Sequence, residues 1–212
     1  MTPVPVKRLG DYHDTGWQDG YASATAAREA IRRGDWHRIE NMVPEAALPP
    51  LVKTLEDGCI HRLEALDILL REKLRRLDSE ALRLYPNVSE GLEHRIMTLA
   101  PRHTTRRDLL ETLKTKRYTY TRLNRLLTHI LLDMTSSRLA QCRPQSFRLL
   151  GFGPNARPYL NSLPKGLLYT KAARQEKDAS FQLDMAAYDL WAMGAKLPLG
   201  MGYRQQVVRE DE

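Results

Sequence analysis

The stretch "TRLNRLLTHILLDM", residues 121–134, constrains the fold more than any other in this 212-residue chain. Leu123, Leu126, Leu127, Ile130, Leu131 and Met134 recur at steps of three and four, the period of one helix face. An unbroken stripe of that width has to be buried against other elements, so the spacing predicts a helix lying on a helical core. Its opposite face carries Arg122, Arg125, His129 and Asp133, which point away from that core.

The segments around it supply the rest of such a core. "HRLEALDILLREKLRRL" repeats Leu63, Leu66, Ile68, Leu69, Leu70, Leu74 and Leu77 with charges between, and the helical pattern begins at Leu51. "SEGLEHRIMTLA" and "TRRDLLETLKTK" read as two further short helices divided by Pro101. Upstream, "SATAAREAIRRGDWHRIENMV" predicts a helix capped by Ser23 or Thr25 and ended at Gly34, then a second one stopping before Pro44. Pro49 and Pro50 read as a hinge.

Strand signals are sparse. "TPVPVKRLGD" near the start reads as one strand, held to an edge by Pro3 and Pro5. About 140 residues follow without a strong partner, because "DYHDTGWQDGYA" reads as a polar loop. Val4 and Val6 on such an unpaired edge make self-association an expectation. "FRLLGFGP" and "GLLYTKA" read as two short strands with the helix "ARPYLNSL" between them, and "SFQLDMAAYDLWAMG" as a later helix. The expected class is therefore mainly α. A strand and helix of an α/β domain occupy 1–45, a helical basic region 46–145, and a small α/β unit 146–212.

Charge adds a functional hint. Residues 102–125 hold eight Lys or Arg against Asp108 and Glu111, so six of the seven net positive charges of the chain fall in one ninth of its length. Clustered cations gain affinity for polyanions by releasing phosphate counterions, while a solvated helix face explains such a run equally well. Cys59 and Cys142 are far apart and in no paired spacing, which suggests neither a disulfide framework nor a zinc site. No apolar run reaches the length of a membrane span and no signal peptide opens the chain, so a cytoplasmic protein without membrane contact is expected.

Three short motifs bear on chemistry. Ser23, Thr25 and Arg28 at a helix entry offer amides, hydroxyls and a cation to phosphate, although an ordinary N-cap accounts for the same residues. Glu90 and His94 share a helix face, but no further ligands accompany them, so no metal site is expected. "GFGPNARPYL" reads as a strand, a turn and an Asn-capped helix rather than a phosphate loop. No G-x-S-x-G occurs, and no catalytic residue is assigned.

Taken together, "VKRLGDYHD", "ASATAAREA", "EGLEHRI", "LLETLKTKRYTYTRLNRLLTHILL" and "FRLLGFGPNARPYL" resemble the tRNA(Met) cytidine acetate ligases, over most of the chain and in the family's order. That resemblance implies a Rossmann-like nucleotidyltransferase domain followed by a helical domain. It also implies ATP, with Mg2+, as the substrate that activates acetate to acetyl-adenylate. The product would be N4-acetylcytidine at the wobble position of elongator tRNA-Met. By the same resemblance Arg8 and Leu9 match an ATP-contacting pair, and Ser23, Thr25 and Arg28 match the phosphate-contacting S-x-T-x-x-R.

One departure is large. Family members carry H-x-G-H, whose histidines stabilise charge developing on the phosphates. His13, His37, His61, His94, His103 and His129 nowhere show that spacing. The chain is therefore expected to be the C-terminal part of such a ligase, acting with a separate N-terminal half. The alternatives are a non-catalytic tRNA- or RNA-binding module and a helical interaction protein whose basic face is incidental. On the RNA readings Arg106, Arg107, Lys114, Lys116, Arg117, Arg122 and Arg125 would meet phosphates, while Tyr118 and Tyr120 would stack on bases or pack into the core.

Overall fold

The fold was analysed in a computed structural model, which describes residues 3–6, 17–18, 21–89, 91–143, 146–172, 175 and 177–209. Two compact units divide it, Met1–Cys59 and Ile60–Glu212.

In the first unit a hairpin, β1 (Trp17–Gln18) and β2 (Tyr21–Ala22), pairs antiparallel with Gln18 opposite Tyr21. This corrects the polar loop expected there. An Asp-Gly dipeptide between two aromatic residues is a hairpin signal that outweighs local polarity. Helix α1 (Ala24–Arg33) follows, with the Ser23 hydroxyl accepting from the Ala26 amide at 3.0 Å. It ends as expected at Gly34, whose φ of 67° lies in the left-handed region that glycine adopts without a Cβ penalty. Helix α2 (Trp36–Met42) buries Ile39 beside Ala26 and Ala30 of α1.

The hinge expected at Pro49 and Pro50 is instead the first turn of α3 (Leu48–Glu56). Proline lacks an N–H, and the first helical turn leaves that group unbonded in any case, so the pair starts the helix. Of the strand expected near the start, residues 3–6 carry no β-pairing, with Val4 and Val6 respectively 83% and 89% exposed; Lys7–Asp11 fall outside the described residues.

The second unit is built on the leucine stripe. After a 3-10 turn at Leu63–Leu66 come α4 (Asp67–Arg76), α5 (Ser79–Arg83), α6 (Leu92–Leu99), α7 (Arg106–Leu113), α8 (Tyr120–Leu131) and α9 (Ser136–Gln141). Leu123, Leu126, Leu127 and Ile130 of α8 are fully buried among Leu70, Leu82, Leu92 and Leu110 of the neighbouring helices. Each such side chain contributes roughly 1.5–3 kcal/mol by leaving water. The helical run from Leu51 is thus broken into α3 and α4, and two of its apolar positions do not face the core: Leu63 is 51% and Ile68 72% exposed.

Backbone ends in this core are closed by long-range bonds. Arg95 of α6 donates from Nη2 to the carbonyl of Thr112 at 2.6 Å, capping the C-terminus of α7. Asp67 Oδ1 accepts the Arg106 amide at 3.0 Å at the other end of α7. Arg138 of α9 donates to the Leu132 carbonyl at 3.2 Å just beyond α8.

Past α9 the chain forms two short parallel pairs. β3 (Phe147–Arg148) lies beside β5 (Leu168–Tyr169), and β4 (Gly151–Phe152) beside β6 (Val208–Arg209). The strand expected over "FRLLGFGP" is split into β3 and β4, which pair in separate sheets, while β5 and the helix between, α10 (Arg157–Ser162), are present; α10 has no side-chain cap, because Asn155 lies inside a 3-10 turn that precedes it. Gly151 permits the β4–β6 approach, since a Cβ there would stand 3.1 Å from the Val208 carbonyl oxygen. Helix α11 (Ala179–Gly194), as expected, is the last long helix, and the short α12 (Met201–Arg204) packs Tyr203 edge-on against Phe181. No helix among the described residues is long and apolar enough to cross a membrane.

Candidate nucleic-acid interface

The basic run begins on α7. Arg107 is exposed and pairs with Glu111 one turn on, at 3.2 Å. Arg106 turns inward beside Asp67 and Tyr120; burial pushes its guanidinium below the ordinary value, against the opposing pull of Tyr120 and Asp67. Between α7 and α8 the chain makes a tight turn in which the Thr115 hydroxyl accepts the Tyr118 amide at 3.0 Å and the Tyr118 carbonyl accepts the Thr115 amide at 3.1 Å. That turn holds Lys114, Lys116 and Arg117 outward, all exposed.

The two tyrosines part company. Tyr118 is 7% exposed and belongs to the leucine core, whereas Tyr120, at the start of α8, is 44% exposed. The helix itself starts cleanly because the Thr119 hydroxyl accepts from the Arg122 amide. Arg122 then lies over the Tyr118 ring, its Cζ 5.5 Å from the centroid. The same guanidinium donates to the Asn87 carbonyl and, at 2.8 Å, to Ser89 Oγ. Arg125, one turn along, is exposed.

Lys114, Lys116, Arg117 and Arg125 are all exposed, as is Arg107 on α7. Arg122 is half-buried and tied to the 87–89 turn, and Arg106 is drawn into the structure. The outer face of α8 presents a shallow, open patch formed by Tyr120, Thr121, Asn124, Arg125, Thr128 and His129. Burial and the Arg125 cation hold the His129 imidazole below its ordinary 6.5, which keeps it neutral at physiological pH. Asn124 and His129 carry weight here that sequence reasoning missed, since Asn124 drew no notice on the outer face and His129 was read only as a polar position. Glu93, on the same helix as His94, is buried within α6, its Oε1 accepting from Arg83 Nε at 3.0 Å and Nη2 at 2.9 Å.

In the first unit Ser23 is buried as the cap of α1, Thr25 is half-buried and Arg28 exposed. The first turn of α1 carries no acidic residue, so nothing there repels an anion from the positive end of the helix dipole. Arg8 and Leu9 lie outside the described residues, as does Glu90.

A helical core with short parallel strands makes up the described fold. The family model described as HIGH Nucleotidyl Transferase matches residues 1–205, and the chain belongs to that family. Its curated relatives there are tRNA(Met) cytidine acetate ligases. The chain is 33% identical to that of Kosmotoga olearia over 79% of its own length and 40% of the relative's. For the Lactiplantibacillus plantarum protein the figures are 30%, 95% and 56%, and for that of Geobacillus sp. (strain WCH70) 34%, 88% and 49%. The chain thus spans about half the length of the curated relatives it matches.

Solved structures agree on the fold. Apo Thermotoga maritima TmcAL superposes with a TM-score of 0.79 at 24% identity, covering 97% of this chain and 55% of that one. The same protein bound with alpha-thio ATP gives 0.74 at 23% identity, over 89% of this chain and 52% of that one.

Proposed function

We infer that this chain forms the tRNA-holding part of an ATP-dependent tRNA(Met) cytidine acetate ligase. The observation that carries the reading is the exposure of Lys114, Lys116, Arg117 and Arg125 in the turn before α8 and on α8 itself, while the leucine stripe of that helix is fully buried, within the segment that resembles those ligases. Such cations position a tRNA backbone without reading its bases. Arg107 adds an exposed cation on α7, while Arg122 contributes only through the part of its guanidinium not turned to Asn87 and Ser89. Tyr120, not Tyr118, is the ring free to meet a base.

ATP, as its Mg2+ complex, belongs at the entry of α1. There Ser23, Thr25 and Arg28 would hold phosphate oxygens; Arg8 and Leu9, an ATP-contacting pair by the resemblance, lie outside the described residues. The ATP analogue bound by the Thermotoga maritima relative supports ATP as the nucleotide. Adenylation needs the charge stabilisation that H-x-G-H supplies, and this sequence has no such spacing, so the chain acts beside a segment or second chain that bears it.

The test mixes the purified chain with ATP, labelled acetate and elongator tRNA-Met, with and without a polypeptide supplying H-x-G-H, and measures acetylated cytidine. Acetylation only in the complete mixture is expected. Acetylation by the chain alone overturns the need for a second segment, and tRNA binding with no acetylation in any mixture identifies a non-catalytic RNA-binding module.

A further inference from the structure

Helix α4 on one side, and α6 with the 3-10 turn Ala100–Arg102 on the other, wall a groove of about 510 Å³. Its floor is the rim of the leucine core, where Leu74 and Ile96 are 6% and 1% exposed. The walls stay apolar where they meet water: Ile68 of α4 is 72% exposed and Met97 of α6 40%. Large aliphatic side chains left open around a concavity mark a surface that gains free energy when a partner covers it.

Two cations stand in the same lining. Arg71 and Arg75 lie one turn apart on α4, with Cβ atoms about 6 Å from each other, and both are exposed. Among the described residues neither forms an ion pair, while Glu72 between them is held by Arg76 of the same helix. The groove thus offers an apolar floor and two uncommitted positive charges at one-turn spacing.

These features choose among occupants. Both walls are helical, with backbone groups bonded within their own turns, so an extended segment finds no strand edge to join. RNA gains little, because no described lining residue is aromatic, and an aliphatic floor neither stacks on a base nor bonds to its edge. A helix brings its own backbone bonds. It presents aliphatic side chains to the floor at steps of three and four, and carboxylates one turn apart to Arg71 and Arg75. Met97, unbranched and soft, adapts to such side chains.

We propose that the α4–α6 groove docks an amphipathic helix of a partner protein, its aliphatic face on Leu74 and Ile96 and its glutamates or aspartates against Arg71 and Arg75. The proposal does not depend on the RNA-binding reading above.

The experiment measures the anisotropy of labelled eighteen-residue helical peptides added to the full chain. One peptide carries leucines at steps of three and four flanked by glutamates, a second has lysines for the glutamates, and a third has serines for the leucines. The leucine–glutamate peptide should bind about tenfold more tightly than either control. Arg71→Glu combined with Arg75→Glu should reverse the preference toward the lysine peptide, and Ile68→Ser should weaken the leucine–glutamate peptide roughly tenfold. Arg125→Ala on α8 should change neither. All four positions are exposed, so Tm should stay in place for every variant. No binding of any peptide, equal binding of the serine peptide, or a charge reversal without effect overturns the proposal. Dodecanoate bound where no peptide binds gives the groove to a fatty carboxylate, and a dimer in sedimentation velocity that Ile68→Ser dissolves gives it to a second copy of this chain; each overturns the partner helix.

Discussion

Arg122 of α8 donates from both Nε and Nη2 to the Asn87 carbonyl oxygen, at 3.3 and 2.9 Å, across a separation of 35 residues. Asn87 itself sits at a φ of 72°, in the left-handed region that Asn tolerates better than most residues. Arg122, expected as one of the RNA contacts, is thereby a strut between α8 and the turn before α6.

Arg122 and Arg125 should consequently behave differently. Arg122→Ala loses a charge-assisted bond set on a part-exposed site and should destabilise the fold by about 1 kcal/mol. Arg125→Ala should leave stability unchanged, weaken RNA binding, and reduce the salt slope by about one. Thermal melts and salt-dependent binding on the two variants separate strut from contact.

Leu126 is fully buried in the middle of the stripe. Leu126→Ala removes its transfer free energy and leaves a cavity, for an expected loss of about 2–5 kcal/mol in urea unfolding. A change under about 1 kcal/mol would mean that this stripe does not organise the core.

Glu93 gives the fold a pH dependence of known sign. Its own backbone N–H and then the Arg83 guanidinium hold its carboxyl below the ordinary 4.5. A lowered folded-state value stabilises fully above the unfolded value and is lost as pH falls through the folded one. Urea midpoints taken from pH 7 down to pH 3 should therefore fall more steeply for the unaltered chain than for Glu93→Gln, which starts lower.

In the first unit Ser23 has two readings that one substitution cannot separate, because Ser23→Ala removes the α1 cap at about 1 kcal/mol whatever else the hydroxyl does. Arg28 is exposed, so Arg28→Ala should leave Tm in place and lower ATP affinity if the α1 entry holds phosphate. Isothermal titration with ATP on Arg28→Ala decides it, and unaltered affinity removes Arg28 from the site.

What the chain wrote locally could be read locally. A repeat at three and four residues can bury only one way on a helix, so α8, its inward leucines and its outward cations were legible in "TRLNRLLTHILLDM". The cap at Gly34 was legible for the same reason, and the N-cap was narrowed to Ser23 or Thr25, of which the structure uses Ser23. Where local signals compete, the shorter-range geometry won: Trp17–Gln18 and Tyr21–Ala22 pair within a stretch read as a polar loop, and Pro49–Pro50 started a helix.

Only tertiary packing decided the rest. Tyr118 and Tyr120 are two residues apart and chemically identical, yet a turn closed by Thr115 places one in the core and leaves the other at the surface. Arg122 and Arg125 lie on one helix face, and only the approach of Asn87 and Ser89 from a distant turn separates their roles. That Asn124 Oδ1 and His129 Nδ1 are buried without a hydrogen-bond partner among the described residues is likewise invisible in sequence, because whether a polar group finds a partner depends on which elements come near it in space.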